Sequence, residues 1–384
     1  MTKPAIIQFD DVHSFVDSVF GEDVHAKRVY SMANASLGIM SSASMAIHAI
    51  GQGLAEARGL QTKHAVKQVD RLLSNKGIQV WHFFSKWVPH VVGSRKEVMI
   101  ALDWTNFDAD GHTTLALNLV TRHGRATPLL WRTVEQSKLK NNQADHEDRL
   151  LRRLNETVPD NVVVTILADR GFGNIRLFAL MDELGFDYVI RLRGNIHVTD
   201  KNGVTADAKD WVGTGGRAKL LRGATVTEQH FPVPTVVCVQ AKDMKEAWCL
   251  CASDPKATSR PLIKFYAKRW SIETCFRDIK DWRFGKGLGH VHIRDTKRRD
   301  RMLLMSAMAS VLLTLLGSAG ESLGMDRLLK ANTVKKRTHS LFRQGCMWYQ
   351  LIPNMPVERL QPLMEEFGRL VREQPATHAV FVDI

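Results

Sequence analysis

Residues 161–169 read Asn-Val-Val-Val-Thr-Ile-Leu-Ala-Asp: seven uncharged, mostly β-branched or apolar residues between two polar ends. A run without polar alternation is the pattern of a strand buried on both faces. Such a strand needs cover above and below its sheet, which points the chain to an α/β architecture. The neighbouring sequence supplies the rest of that layer. Val98–Leu102 is an apolar run reaching Asp103. Thr114–Thr121 and Ala126–Val134 read as strands joined by a turn at Arg122–Arg125. Ala144–Asn155 reads as a charged helix, and Asn174–Leu184 as a helix closed by Gly185. Phe186–Leu192 is a further strand, giving the order β-β-β-α-β-α-β over residues 93–193.

The flanks differ in character. Residues 1–92 read as helical, with apolar spacing over Phe9–Phe20, a run of small helix formers over Ser36–Ala57, and a basic helix that Thr62 caps. That helix carries Lys63, Lys67 and Arg71 at intervals of four, an arrangement able to lie against phosphates, with a solvated basic face as the alternative. Residues 194–258 are richer in glycine and alternate with period two, with strands expected at Thr225–Phe231, Thr235–Gln240 and Ala247–Ala252. Residues 259–325 are expected to return to helix, and 326–384 to form a helical C-terminal region. Met302–Gly320 is uncharged, but Ser306, Ser310, Thr314 and Ser318 recur every fourth residue, so a packed core helix is expected rather than a membrane span.

Lys plus Arg outnumber Asp plus Glu by 53 to 40, a surplus suited to a polyanionic partner. The five cysteines show no metal-ligand spacing, and no signal peptide is read at the N-terminus. The expected setting is therefore cytoplasmic, with reduced thiols and no membrane partner.

The chemistry concentrates in residues 266–280, Tyr-Ala-Lys-Arg-Trp-Ser-Ile-Glu-Thr-Cys-Phe-Arg-Asp-Ile-Lys. At roughly 100° per helical residue, Tyr266, Arg269, Glu273 and Lys280 share one stripe, together with Arg277. Phe265, Ile272, Cys275, Phe276 and Ile279 lie on the other side. The helix is expected to bury the apolar face and present the polar one. Read locally, Glu273 and Arg277 are also a plain surface pair. Asp103 and Asp169 close the apolar runs of two core strands, where a carboxylate escapes the packed interior. Turn or cap roles compete there as well. Together with Glu273 they make three carboxylates from three elements, a set able to hold one or two Mg2+ ions for phosphoryl transfer.

These residues resemble the DDE transposases of bacterial insertion sequences, and within them the subgroup named for insertion sequence four. The hallmark Y-x2-R-x3-E-x6-K is matched by Tyr266, Arg269, Glu273 and Lys280, with Asp103 and Asp169 at the first two acidic positions. The resemblance implies a ribonuclease-H-like catalytic core interrupted by a mostly β insertion, between an N-terminal helical DNA-binding region and a helical C-terminal region. It implies that Asp103, Asp169 and Glu273 form a catalytic, Mg2+-binding triad (Mn2+ a possible substitute), and that Tyr266, Arg269 and Lys280 grip phosphates. It further implies end cleavage through a hairpin, a flipped base stacked on a tryptophan, and strand transfer into target DNA by a homodimer on paired inverted repeats. Trp248 matches the tryptophan best, with Trp211 second. Arg337, His339, Ser340 and Arg343 resemble the family's C-terminal DNA contacts. No nucleotide cofactor is expected. The alternatives are a stand-alone nuclease on the same fold and a non-enzymatic DNA-binding regulator.

Overall fold

The computed structural model describes Ile7, residues 9–283, residues 285–373 and Val380. The outermost parts of the expected N- and C-terminal regions lie outside the described residues.

The N-terminal region is helical: α1 (Phe9–Phe20), α2 (Ala26–Ser42), α3 (Ile47–Arg58), α4 (Thr62–Ser74) and α5 (Val80–Val92). The run of small residues at 36–57 is split between two helices, contrary to the single helix its composition suggested. Ala43 adopts a left-handed conformation at φ 48° and ends α2, and α3 starts at Ile47. Thr62 is the first residue of α4 rather than its cap, a position taken by Gln61.

The core begins with β1 (Glu97–Phe107), β2 (His112–Leu119) and β3 (Thr127–Glu135), an antiparallel meander. Then come α6 (Gln143–Thr157), β4 (Val163–Ala168), α7 (Ile175–Leu184) and β5 (Asp187–Leu192). The β-β-β-α-β-α-β order is the one read from the sequence. β4 runs parallel to both β1 and β5.

Next come β6 (His197–Thr199), β7 (Thr205–Asp207), β8 (Lys219–Val226), β9 (Phe231–Val239) and β10 (Trp248–Ala252). These strands continue the core sheet, because β10 pairs antiparallel with β5. The result is one ten-stranded sheet in the order β3-β2-β1-β4-β5-β10-β9-β8-β6-β7. The single strand expected at Thr225–Phe231 is instead the end of β8, a turn at 227–230 and the first residue of β9. Thr227 and His230 take positive φ there, which reverses the chain.

Both faces of the core strands are buried. Val98, Ile100, Leu102, Ile166 and Ile190 join the larger hydrophobic cluster, together with Leu151 and Leu154 of α6 and Phe178 of α7. The alternate residues Met99, Ala101, Leu167, Val189 and Leu250 face a second cluster, capped by Leu262, Tyr266 and Ile272. Those last residues belong to α8 (Ser259–Ala267) and α9 (Ser271–Lys280).

The last helices are α10 (Thr296–Ser322), α11 (Leu341–Leu351) and α12 (Val357–Arg372). α10 is apolar and long enough to cross a membrane, yet 89% of its most apolar window is buried inside the protein. Two cations of its basic start are buried too. Arg299 is fully buried and pairs with Asp110, and Arg301 donates to the carbonyls of Leu73 and Ile78. α10 thus ties the N-terminal helices to the sheet. Its Gly317 faces Gly345 of α11, where a Cβ on either residue would run into the partner helix's backbone.

Candidate active site

Side chains alternate across a strand, so parity decides which face each one reaches. Asp103 has the parity of Met99 and Ala101, and Asp169 that of Leu167. Both therefore emerge on the face covered by α8 and α9. The parallel register pairs Leu102 with Ala168 as its last pair, so Asp103 and Asp169 are the next residues on two adjacent strands. Asp169 follows the end of β4. Asp103 does not end its strand, because β1 continues to Phe107 on the support of β2. What stops at Leu102 is the pairing with β4, and that opening makes room for a carboxylate.

The segment 259–280 crosses above this point. Its helix is not continuous: a 3-10 turn at Lys268–Trp270 separates α8 from α9. Nor is the first part of its polar stripe turned to water. Tyr266 and Arg269 are buried, because the stripe faces the two aspartates. Arg269 Nη1 donates to Asp103 Oδ2 at 3.3 Å, and Nη2 donates to Glu273 Oε1 at 2.8 Å. The Tyr266 hydroxyl donates to Asp169 Oδ1 at 3.3 Å. Three carboxylates thus meet one guanidinium and one phenol.

The electrostatics follow from burial. The Asp103 carboxyl is pushed up to about 6, first by burial and further by Asp169 and Glu273; Arg269 and the Trp104 N–H pull the other way. Burial also raises the Tyr266 phenol, so it stays protonated and remains a donor. For Arg269, burial works against the charge, but Tyr266, Asp169, Asp103 and the bond to Glu273 together hold it above its ordinary value. Both values are raised, which favours the neutral form of Asp103 and the charged form of Arg269. The guanidinium draws on several partners, whereas Asp103 regains only part of its desolvation cost.

Arg191, in β5, was not singled out from the sequence. It shares the parity of Val189, lies 3.8 Å from Asp169 Oδ1, and holds Glu246 at 2.8 Å. Its signal was a lone cation within the apolar strand Asp-Tyr-Val-Ile-Arg-Leu.

The other sequence candidates are placed as follows. Trp248 starts β10 on the same sheet face and packs edge-on against Tyr266, ring centroids 5.1 Å apart. Trp211 is buried and donates to the Val198 carbonyl, so it is a core residue. Lys280 donates to Thr105 Oγ1 and to the Asn106 carbonyl on the far end of β1, and burial lowers its pKa. Arg277 is exposed. Lys63, Lys67 and Arg71 are exposed on α4, and Lys67 and Arg71 line a groove with Lys27, Arg28 and His64. Arg337 is held by Glu321; His339 is half-buried; Ser340 caps α11 at the Arg343 N–H, leaving the Arg343 side chain exposed.

Among the described residues, no three His, Cys, Asp or Glu side chains stand close enough together to hold a metal ion. The donor chemistry nevertheless suits a hard divalent cation, since carboxylate oxygens converge and a cationic guanidinium stands between two of them. Comparison with protein families matches a model described as the transposase DDE domain to residues 95–312, more than half of the chain. Comparison with curated proteins gives no match.

Proposed function

The chain belongs to the DDE transposase family, and from that premise we propose that it cuts DNA at the ends of its own element and joins them to target DNA. The observation that carries this reading is the juxtaposition of Asp103 and Asp169 on adjacent strands beneath the helix bearing Glu273. The core is read as ribonuclease-H-like and the chain as a member of the insertion-sequence-four subgroup.

Asp103, Asp169 and Glu273 would hold a divalent cation, Mg2+ with Mn2+ as substitute. Such an ion supplies a Lewis acid for phosphoryl transfer. The chain's own residues position the DNA. Arg269 and Tyr266, at the base of the site, are donors for phosphate oxygens. Arg191 adds positive charge beside Asp169. Trp248 offers an aromatic surface for a displaced base. Lys67 and Arg71, with Lys63 beside them, would track phosphates outside the site. Arg343, exposed on α11, is a C-terminal cation suited to the same task. The substrate passes through successive in-line displacements. Hydrolysis frees a 3′-hydroxyl, which attacks the opposite strand and closes a hairpin. A second hydrolysis opens it, and the freed end attacks target DNA. Holding two ends together calls for two copies of the chain.

The test is cleavage of duplexes taken from the DNA flanking the gene, followed on denaturing gels with Mg2+ or Mn2+. Asp169→Asn and Glu273→Gln are expected to lower the rate by about 1000-fold, the order found when a charge-stabilising group is removed. Cleavage at the wild-type rate by either variant would overturn the assignment. Cleavage that never leads to joining would mark a stand-alone nuclease, and DNA binding without metal-dependent cutting a regulator.

A further inference from the structure

Arg269 stands between two of the three carboxylates that would hold the ion. Its side chain is 9% exposed, and its two terminal nitrogens are spent on Asp103 and Glu273. A guanidinium cannot deprotonate to make way. The third carboxylate is engaged too, by the Tyr266 hydroxyl and the nearby Arg191. Each of the three carboxylates thus already has a cationic or hydroxyl partner.

Resting on the reading above that these carboxylates hold the metal, we propose that Arg269 is a gate. It clasps Asp103 to Glu273 in the DNA-free protein and releases them when a DNA phosphate takes its guanidinium. Phosphate is a strong charge-assisted partner for arginine and can replace both carboxylates at once. Without DNA, a divalent ion entering between Asp103 and Glu273 would leave a buried guanidinium unpaired beside another cation, which is costly. With DNA, every charge stays paired through the exchange. Arg269 lies within the 3-10 turn between α8 and α9, and such turns inside a helical run mark places where backbone can rewind. Metal and DNA therefore bind with positive cooperativity, and by linkage each strengthens the other by the same factor. The cutting centre is completed only on a correctly seated phosphate.

The experiment measures Mn2+ binding to the full chain by the electron paramagnetic resonance signal of free Mn2+, with and without a duplex from the DNA flanking the gene. Wild type alone is expected to bind weakly and to gain at least about tenfold with the duplex. Arg269→Gln is expected to bind Mn2+ tightly without DNA and to gain nothing further. Asp103→Asn reports whether the ion sits at this site, and circular dichroism checks folding. If Arg269→Gln fails to fold, the duplex-dependent gain of the wild type decides alone. Asp103-dependent binding that is equally tight with and without duplex would overturn the gate and leave the metal site standing. Absence of Asp103-dependent binding under every condition would overturn both.

Discussion

Replacing Asp103 by asparagine should make the protein more stable and inactive at once. Burial, with the charges of Asp169 and Glu273, lifts this carboxyl from 3.8 to about 6 despite Arg269 and the Trp104 N–H. A shift of two units corresponds to about 3 kcal/mol of preference for the neutral form in the folded chain. Between about pH 4 and pH 6 the folded chain keeps a proton that the unfolded chain has lost, so stability falls as pH rises through that window. Above it the full cost is present; below it there is none. Asparagine has the same size, keeps an acceptor for the Trp104 N–H at 2.8 Å, and carries no charge. It gives up the pairing with Arg269, which retains Glu273. The variant should therefore exceed the wild type by about 1–3 kcal/mol at pH 8, and the gap should close near pH 4. Urea titrations at pH 4, 6 and 8 in the presence of a chelator measure this, with end cleavage assayed in parallel. A variant less stable than the wild type at pH 8, or a gap indifferent to pH, would refute the reasoning, because it would mean that the ion pair outweighs the burial of the charge.

Two further outcomes are expected. Gly345→Ala sets a Cβ against the Leu313 carbonyl and the Gly317 N–H of α10, so the helices must part, at a cost of about 3 kcal/mol in urea melts; unchanged stability would mean that α10 and α11 are not in this close contact. Lys67→Glu together with Arg71→Glu should weaken duplex binding across sequences and lower the slope of log affinity against log salt by about 2, one for each lost phosphate contact; an unchanged slope would remove α4 from the DNA surface.

Much of the scaffold was legible because periodicity is a local property. The unbroken apolar run before Asp169 announced a strand covered on both faces, and the elements from Val98 to Leu192 follow their expected order. Where local pattern misled, a turn was at fault. The small residues of 36–57 read as one helical run, because composition gives no sign of the left-handed Ala43 that ends α2. The alternation at 225–231 looked like a strand because a tight turn between two strands keeps their composition.

For the site, the chain alone carried the residue types. Strand parity could send Asp103 and Asp169 to one face, and helical spacing could gather Tyr266, Arg269 and Glu273 on one stripe. It could not say what that stripe meets. A polar stripe looks the same whether it faces water or two buried aspartates, and its helical spacing gave no sign of the 3-10 turn at Lys268–Trp270. The tertiary structure decided that Arg269 joins Asp103 to Glu273, that Lys280 is spent on the far end of β1, and that Arg191 reaches Asp169 from a neighbouring strand. Apart from the local Arg269–Glu273 pair, each of these pairings joins distant elements through sheet register and helix crossing. Periodicity along the chain records which face a residue takes, while charge pairing depends on what the fold brings opposite it.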